Sequence, residues 1–410
     1  MNLFVLSWKY TWSKPLSAVL NVLMLALGLG ALAFILLAQQ RLTDALERDV
    51  AGIDVVVGAK GSPLQLILAG IYHLDVPPGN IALTDVQALA RHPQVAQLVP
   101  LSLGDNLGGY RIVGTTPDYP AWYGGQLAQG RWWQQPMQAV LGAEVAQRTG
   151  LKPGDRFAGL HGLGAGGHAH GDQLYSVTGI LRANGSVLDR LVLTATESVW
   201  RVHEEAVALD DDDRAELEAD REVTLALIRY NTPLAAASFP RWVNTTTGMQ
   251  AAAPAQELSR LLRLLGTGTD VLQAMGAALL GVAGLSVFMA LWQAVRERRA
   301  DLAMLRMLGA GPWRLAALLL AESLWLATLA CVLGLALAQG LMAALPWLVQ
   351  AEAAGLVAGS AGPGAWPGAW PGVLWSVPAL ALVVALLSAA LPAWGAYRAD
   401  VATLLRGDAA

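Results

Sequence analysis

Three of the six histidines of this chain lie within ten residues of one another, beside an aspartate. Neutral imidazoles and a carboxylate are ligands that zinc and copper accept. The same segment contains five glycines, so ordering it around a metal ion costs about 1–2 kcal/mol per residue. Two interpretations stay open, a zinc site and a solvated loop between two strands. The candidate metal ligands are His161, His168, His170 and Asp172.

The sequence contains no motif of an enzyme active site. The nearest approach to a phosphate-binding loop, residues 57–62, lacks a glycine immediately before Lys60, and that glycine-rich turn is what aims backbone N–H groups at phosphates. Neither a His-Glu-x-x-His nor a Gly-x-Ser-x-Gly pattern occurs. We therefore expect a protein that is not catalytic by itself and binds no cofactor directly, apart from the zinc alternative.

Four long apolar stretches form the framework that must position these residues. The chain of 410 residues is 55% hydrophobic and only 14% charged, whereas soluble domains carry about 25% charged residues. Each stretch approaches or exceeds the ~20 residues that a helix needs to cross a bilayer. The stretches are about Leu16–Leu37, Val271–Ala294, Leu315–Ala338 and Leu374–Pro392.

The spacing of these stretches predicts the fold class. It is a membrane protein with four transmembrane helices and a mixed α+β domain inserted between helices 1 and 2. Residues 1–38 form an N-terminal interfacial segment and the first transmembrane helix, residues 39–270 form the inserted domain with its stalk, and residues 271–410 contain helices 2–4. The inserted part is long enough to bury a core of its own.

Local signals within the inserted domain predict its helices and turns. Thr84 is expected to cap a short helix, and residues 139–149 are expected to form a helix that ends at Gly150. Asn184-Gly185 predicts a turn between two strands. Residues 256–265 place four leucines on one helical face, which predicts a stalk helix running towards the second span.

The distribution of positive charge predicts the orientation. Lys9 and Lys14 precede the first span, and the 295–315 link holds five arginines against two acidic residues, whereas the 339–373 link holds no lysine or arginine. Positive residues collect on the cytoplasmic side of short loops, so both termini are expected there and the inserted domain outside. Four arginines of that domain near the membrane count weakly against this. The net charge of −4 gives no reason to expect nucleic acid as a partner.

One ionisable residue lies inside a span. Glu322 falls about two turns from the expected cytoplasmic end of the third stretch, and the other three stretches contain no charged residue. Intramembrane carboxylates mark functional sites or pair with another polar group. A proton path, a contact between subunits and a role in coupling to an ATPase all remain open.

The link between the second and third spans has the most specific pattern of the chain. It runs from Arg296-Glu297-Arg298 through an apolar segment to Leu308-Gly309-Ala310, and it then enters the span that contains Glu322. This resembles the FtsX/MacB-like family of ABC transporter permeases. Within the inserted domain, Gly130-Arg131-Trp132, Val140–Gly142 and Gly150–Asp155 are similar to the MacB-like periplasmic core.

The resemblance implies a multi-pass protein of the bacterial inner membrane, surrounded by membrane lipid, with its large domain in the periplasm. It implies a separate cytoplasmic ATPase that binds ATP and magnesium, because no nucleotide-binding domain is fused to either end of this sequence. It also implies a second permease copy or a paralogue, and a periplasmic adaptor or binding protein. Such permeases are thought to act by mechanotransmission, in which ATPase motion is passed to the periplasmic domain for export or release of a substrate.

The family pattern and the amphipathic periodicity of residues 297–312 together predict a coupling helix that docks on the ATPase. Two other functions stay open. One is a signalling or scaffold protein, similar to FtsX, that activates a periplasmic partner, and the other is a metal-linked transport component that uses the histidine-rich loop. An Ala-Trp-Pro-Gly tandem at residues 365–372 is expected to form an interfacial turn. The candidate coupling residues are Glu297, Arg298, Leu302, Leu305, Arg306, Leu308, Gly309 and Ala310.

Overall fold

A computed structural model describes residues 3–162, 169–204, 217–218, 220–348 and 372–398 of the chain. The chain divides into two compact units. We call the first the membrane unit, which contains the chain up to Arg41 and the helices that follow Leu264. The second is the inserted domain, Leu42–Leu264.

Two helices begin the chain, α1 (Leu3–Thr11) and α2 (Pro15–Val50). At 36 residues, α2 is longer than the ~20 residues that a bilayer requires. Its first part is apolar and belongs to the membrane unit. Its last turns, from Leu42 onwards, belong to the inserted domain, where Leu46 and Asp49 are buried.

A mixed sheet forms the centre of the inserted domain. The described strands are β1 (Val55–Ala59), β2 (Ile81–Ala82), β3 (Val95–Leu107), β4 (Tyr110–Thr115), β5 (Leu127–Gly130), β6 (Gln138–Leu141), β7 (Arg156–His161), β8 (Ala169–Leu181), β9 (Val192–Ala195), β10 (Glu222–Val223), β11 (Leu225–Tyr230) and β12 (Met249–Ala252). The order across the main sheet is β12-β1-β11-β3-β4-β9-β6-β8-β5, with β7 beside β3 and β8. The β4–β9 and β6–β8 pairs are parallel and the other pairs are antiparallel. β2 pairs with β10 separately.

Alternate side chains of a strand point to opposite sides, and in the central strands both sets of side chains are apolar. Both faces of the sheet are therefore apolar. On one face, Val56 and Leu227 join a core cluster, while Val55 and Ile228 join a second cluster on the other face. Helices cover these faces. They are α3 (Pro63–Gly70), α4 (Leu83–Ala90), α5 (Asp118–Trp122), α6 (Ala143–Thr149), α7 (Thr196–Glu204) and α8 (Ala235–Thr246).

Two local predictions are wrong. Thr84 does not cap α4: the cap position is Ala82, which makes no side-chain hydrogen bond, because the β2–β10 strand pair runs directly into the helix. The predicted helix over residues 139–149 begins only at Ala143, and residues 138–141 form β6. Strand pairing on both sides of these residues overrides their helical pattern. The predicted end at Gly150 is confirmed, with φ of 73°.

Four further helices complete the described chain, α9 (Pro254–Glu297), α10 (Arg299–Met307), α11 (Pro312–Leu348) and α12 (Ser376–Arg398). Helices α2, α9, α11 and α12 are long and apolar enough to cross a membrane. They confirm the predicted four-helix architecture, and the α/β domain lies between the first and the second of them.

Close backbone contact holds these helices together. A Cβ atom on Gly30 would lie 3.0 Å from the Gly334 carbonyl oxygen, so α2 and α11 meet where neither has a side chain. Polar side chains add bonds between helices: the Ser286 hydroxyl lies 2.9 Å from the Asn21 amide oxygen, and the Ser323 hydroxyl donates to the Ala385 carbonyl at 2.7 Å.

Candidate functional site

A single guanidinium group joins three helices at one end of the membrane unit. Arg298 directly follows α9, and its Nη1 donates to Glu322 Oε1 of α11 at 3.1 Å. Its Nη2 donates to the Tyr10 carbonyl at 2.9 Å and to the Ser13 hydroxyl at 2.6 Å. The Arg298 Cζ also lies 4.6 Å from the centre of the Tyr10 ring, at cation–π distance. Arg298 thus fixes the turn between α1 and α2, which we call the elbow (residues 10–14).

The carboxylate of this pair is deeply buried. Only 5% of the Glu322 side chain is exposed. The pair lies among apolar side chains of three helices, with Tyr10 and Asp301 beside them: Ala294, Val295, Leu302, Leu318 and Leu319. A buried charge is stable only with a partner, and removing that partner typically costs about 3–5 kcal/mol. A cavity of about 10 Å³ adjoins the pair. That volume suits about one water molecule, so this site is too small for an organic substrate.

The residue before Arg298 holds the other side of the elbow. Glu297 forms an ion pair with Lys14 and accepts a hydrogen bond of 2.9 Å from the Gln293 side chain. Both partners of the ion pair are exposed, so the pair contributes little stability. Glu297 and Arg298, at the end of α9, therefore contact the elbow through one exposed and one buried side chain.

The short helix α10 follows immediately, and its two faces differ. Leu302 is 6% exposed and packs with Leu305 against Leu315, Leu319 and Ala393. The opposite face presents Met304, Met307 and Leu308, all exposed, with Leu308 84% exposed. We call these last three residues the apolar patch. Exposed methionines adapt to varied surfaces and are common at binding sites.

A left-handed glycine ends this element. Gly309 has φ of 90°, and the Ala310 N–H donates to the Leu305 carbonyl at 3.0 Å. This bond closes the C-terminal turn, and Leu308 projects beside it. The chain then reverses into α11, which begins at Pro312.

Two known protein families match this chain. The family description "MacB-like periplasmic core domain" matches residues 18–232, which is more than half of the chain. The description "FtsX-like permease C-terminal" matches residues 274–401. The chain belongs to the FtsX/MacB-like permease family. The family matches confirm the resemblance drawn from the sequence. Such permeases are components of ABC-type systems. No curated protein matches this permease.

Two solved structures are similar to the permease over about half its length. The periplasmic region of MacB from Actinobacillus actinomycetemcomitans has 12% sequence identity and a TM-score of 0.34, covering 52% of this chain and 95% of that chain. The extracellular domain of the noncanonic ABC-type transporter YknZ from Gram-positive bacteria has 12% identity and a TM-score of 0.30, covering 48% and 98%.

The eight candidate coupling residues of this permease fall into different surroundings. Arg298 and Leu302 are largely covered by neighbouring helices, Leu305, Arg306 and Ala310 are half-buried, and Glu297, Leu308 and Gly309 are exposed. The structure brings Arg298 into contact with Glu322, although the sequence pattern placed one residue in the link and the other in a span. One signal was available: Arg298 and Glu322 lie at equal sequence distance from Ala310, the point at which the chain reverses.

The candidate metal ligands cannot be placed in the same way. His168 lies outside the described residues, as do the side chains of His161, His170 and Asp172. Among the side chains that are described, no group of three metal-ligating residues occurs. The Ala-Trp-Pro-Gly tandem also falls outside the described ranges, except for its final glycine.

Proposed function

We propose that this permease is the transmembrane subunit of an ABC transporter complex and that a separate cytoplasmic ATPase binds the apolar patch of α10. The observation that carries the proposal is the position of that patch. It lies at the end of a helix whose other face is packed against α11 and α12, and Arg298, next to the start of α10, grips the elbow. A force on the apolar patch would therefore act on several transmembrane helices at once.

The mechanism follows from these contacts. Closure of the ATPase on ATP displaces α10, and the adjoining Glu297–Arg298 dipeptide carries the displacement to the elbow and to Glu322 on α11. Packed helices shift as stiff bodies, so the motion continues along α2 and α9 towards the inserted domain. The domain then exports or releases a substrate on its own side of the membrane, and the substrate need not cross the bilayer through this chain.

The proposal includes an orientation and partners. The elbow end carries Lys9, Lys14, Arg296 and Arg314, which favours the cytoplasmic side of the bacterial inner membrane. The inserted domain is then periplasmic. By analogy with the family, the permease pairs with a second copy or a paralogue, and a periplasmic adaptor or binding protein meets the inserted domain.

Co-purification tests the proposal. The permease is expressed and purified from its source organism, together with the ABC ATPases of that organism. The variant combines Met304→Asp, Met307→Asp and Leu308→Asp. We expect at least a tenfold loss of bound ATPase, because the acids replace an apolar contact with buried charge. The matched control is Leu234→Asp, at a residue 82% exposed in the inserted domain, which should keep full binding. Unchanged binding in the triple variant would overturn the docking assignment.

A further inference from the structure

Two helices enter the inserted domain, and the domain holds them by different kinds of contact. The first turns of α9 place Leu258, Leu261 and Leu262 against the apolar cluster that includes Ile53 and Tyr72. Among the described residues, the side chains of 254–262 make no hydrogen bond to other elements of the domain. The start of α9 is instead fixed by the chain itself, because Ala253 alone separates Pro254 from β12, whose Ala252 pairs with Val56 of β1.

The last turn of α2 is held by tyrosine hydroxyls instead. The Tyr72 hydroxyl donates to the Leu46 carbonyl at 2.9 Å, and the Tyr123 hydroxyl donates to the Asp49 carbonyl at 3.0 Å. The last four carbonyls of any α-helix lack partners within the helix. The Asp49 carbonyl is one of these four, and the Leu46 carbonyl lies one residue before them; the two tyrosines that bind these carbonyls come from widely separated parts of the sequence.

The side chains of the same turn bind a loop in return. Asp49 is buried, and its Oδ1 accepts from the Val187 N–H at 3.0 Å. Arg48 donates to the Gly185 carbonyl. The loop itself is shaped by Asp189, whose carboxylate accepts from the backbone N–H groups of Asn184 and Gly185 at 3.2 and 2.8 Å.

Further contacts hold Tyr72 and Tyr123 in place. The Asn184 side chain donates to the Tyr123 carbonyl at 3.0 Å, and the Tyr119 ring lies 5.4 Å from the Tyr123 ring. His73 Nε2 lies 3.0 Å from the Tyr119 hydroxyl. His73 is buried at φ of 56°, a left-handed conformation that few side chains adopt. We call this assembly the socket; its members are Tyr72, His73, Tyr119, Tyr123 and residues 184–189.

We propose that the socket is a fixed joint through which α2 carries motion of the membrane unit into the inserted domain. Hydrogen bonds have preferred lengths and angles, so a helix end held by four of them from three segments of the domain moves together with the socket. The inference rests on the proposed function for the source of the motion, but the fixed joint itself requires no ATPase.

Hydrogen exchange on the full-length permease in nanodiscs tests the joint first. The variant combines Tyr72→Phe and Tyr123→Phe, which removes both hydroxyls and keeps both rings. We expect amides of residues 43–50 to exchange at least tenfold faster, with the remaining strands unchanged. The control is Tyr175→Phe, because the buried Tyr175 hydroxyl makes no hydrogen bond; it should match the wild type. Wild-type exchange in the double variant would show that packing alone holds the helix end, and the proposal would fail.

A second arm tests transmission in the complex with the ATPase, before and after trapping with ATP and vanadate. We expect trapping to change exchange of residues 184–190 in the wild type by at least threefold, and we expect no change in the double variant, although it binds as much ATPase. A wild-type response in the double variant overturns the proposal, as does a missing response in wild type with ATPase bound. Failure of the proposed function is recognised separately, because the wild type then retains no ATPase on purification.

Discussion

The two ends of α2 are held by different chemistry. At the elbow, α2 is held by charged groups, through Arg298 and the Lys14–Glu297 pair. At the socket, two bonds come from the neutral hydroxyls of Tyr72 and Tyr123, and the other two join the Arg48 and Asp49 side chains to backbone groups rather than to an opposite charge. A charged pair that is sheltered from water by apolar side chains is costly to break, whereas each neutral hydrogen bond contributes only about 1 kcal/mol.

This difference indicates how one helix serves both units. The elbow concentrates its stability in one buried pair, Arg298 and Glu322, so a single substitution should loosen it. The socket spreads its stability over several weak bonds with different directions, so it fixes geometry without depending on any one of them.

The buried pair at the elbow should show the largest effect. Glu322→Leu leaves the Arg298 guanidinium without its carboxylate, and we expect a loss of about 3–5 kcal/mol in the free energy of unfolding. Adding Arg298→Met to Glu322→Leu should recover at least half of that loss, because neither member of the buried pair then remains without its partner. Denaturation of the full-length permease in detergent, arranged as a double-mutant cycle, measures both. Simple additivity of the two single losses would contradict the pairing.

Acid should weaken the socket in a specific way. Burial, together with the nearby Arg111 and Arg190, lowers the pKa of His73 well below its usual value of 6.5. The folded protein therefore leaves His73 neutral while the unfolded chain binds a proton below pH 6.5. Stability is lost as the pH falls below 6.5, by up to about 1.4 kcal/mol per pH unit for this residue.

Unfolding measured between pH 7.5 and pH 5.0 in the wild type and in His73→Asn isolates this contribution. Asparagine tolerates the left-handed backbone and does not titrate. We expect a shallower decline in the variant below pH 6.5 and equal slopes above it. Parallel curves throughout the range would mean that His73 takes up its proton in the folded state as readily as in the unfolded chain.

A single hydroxyl of the socket should have a moderate effect. Tyr123→Phe removes the bond to the Asp49 carbonyl and should lower the free energy of unfolding by about 1 kcal/mol. Tyr175→Phe removes a buried hydroxyl that has no partner and should be neutral or stabilising. Thermal unfolding of the two variants side by side measures the difference. Equal melting temperatures would remove the case for a hydrogen-bonded socket.

The exposed pair at the elbow should have the smallest effect. Lys14→Met removes the partner of Glu297, and we expect no measurable change in melting temperature, since exposed ion pairs contribute little. Repeating the melt at low and high salt checks this, because a contributing pair would weaken on screening. A clear loss of stability at low salt would contradict this prediction, because the Lys14–Glu297 pair would then contribute measurably to the stability of the elbow.

The sequence predicted the spans, the inserted α/β domain and the turn at Gly150, because apolar length and glycine conformation are local properties. It also predicted an amphipathic element after the second span. Periodicity finds two faces, however, and it does not tell which one is covered. In the structure Leu302 and Leu305 pack inward, and the exposed face is the one that bears Met304 and Met307.

The remaining features depend on contacts between distant residues. The strand over residues 138–141 forms because β8 and β9 pair on either side of it. The Arg298–Glu322 pair requires the chain to reverse between α10 and α11, at Gly309 and Ala310. The socket combines Tyr72, Tyr123 and residues 184–189, which share no local pattern in the sequence, so periodicity and turn signals could not bring them together.

The central claim is that the elbow, α2 and the socket form one line of transmission. The most direct measurement is hydrogen exchange of residues 184–190 in the ATPase complex, with and without ATP and vanadate, in the wild type and in the Arg298→Met, Glu322→Leu variant. We predict a nucleotide-dependent change in the wild type and none in the variant, with equal amounts of ATPase bound. A full response in the variant would contradict the claim, because motion would then reach the socket without the elbow.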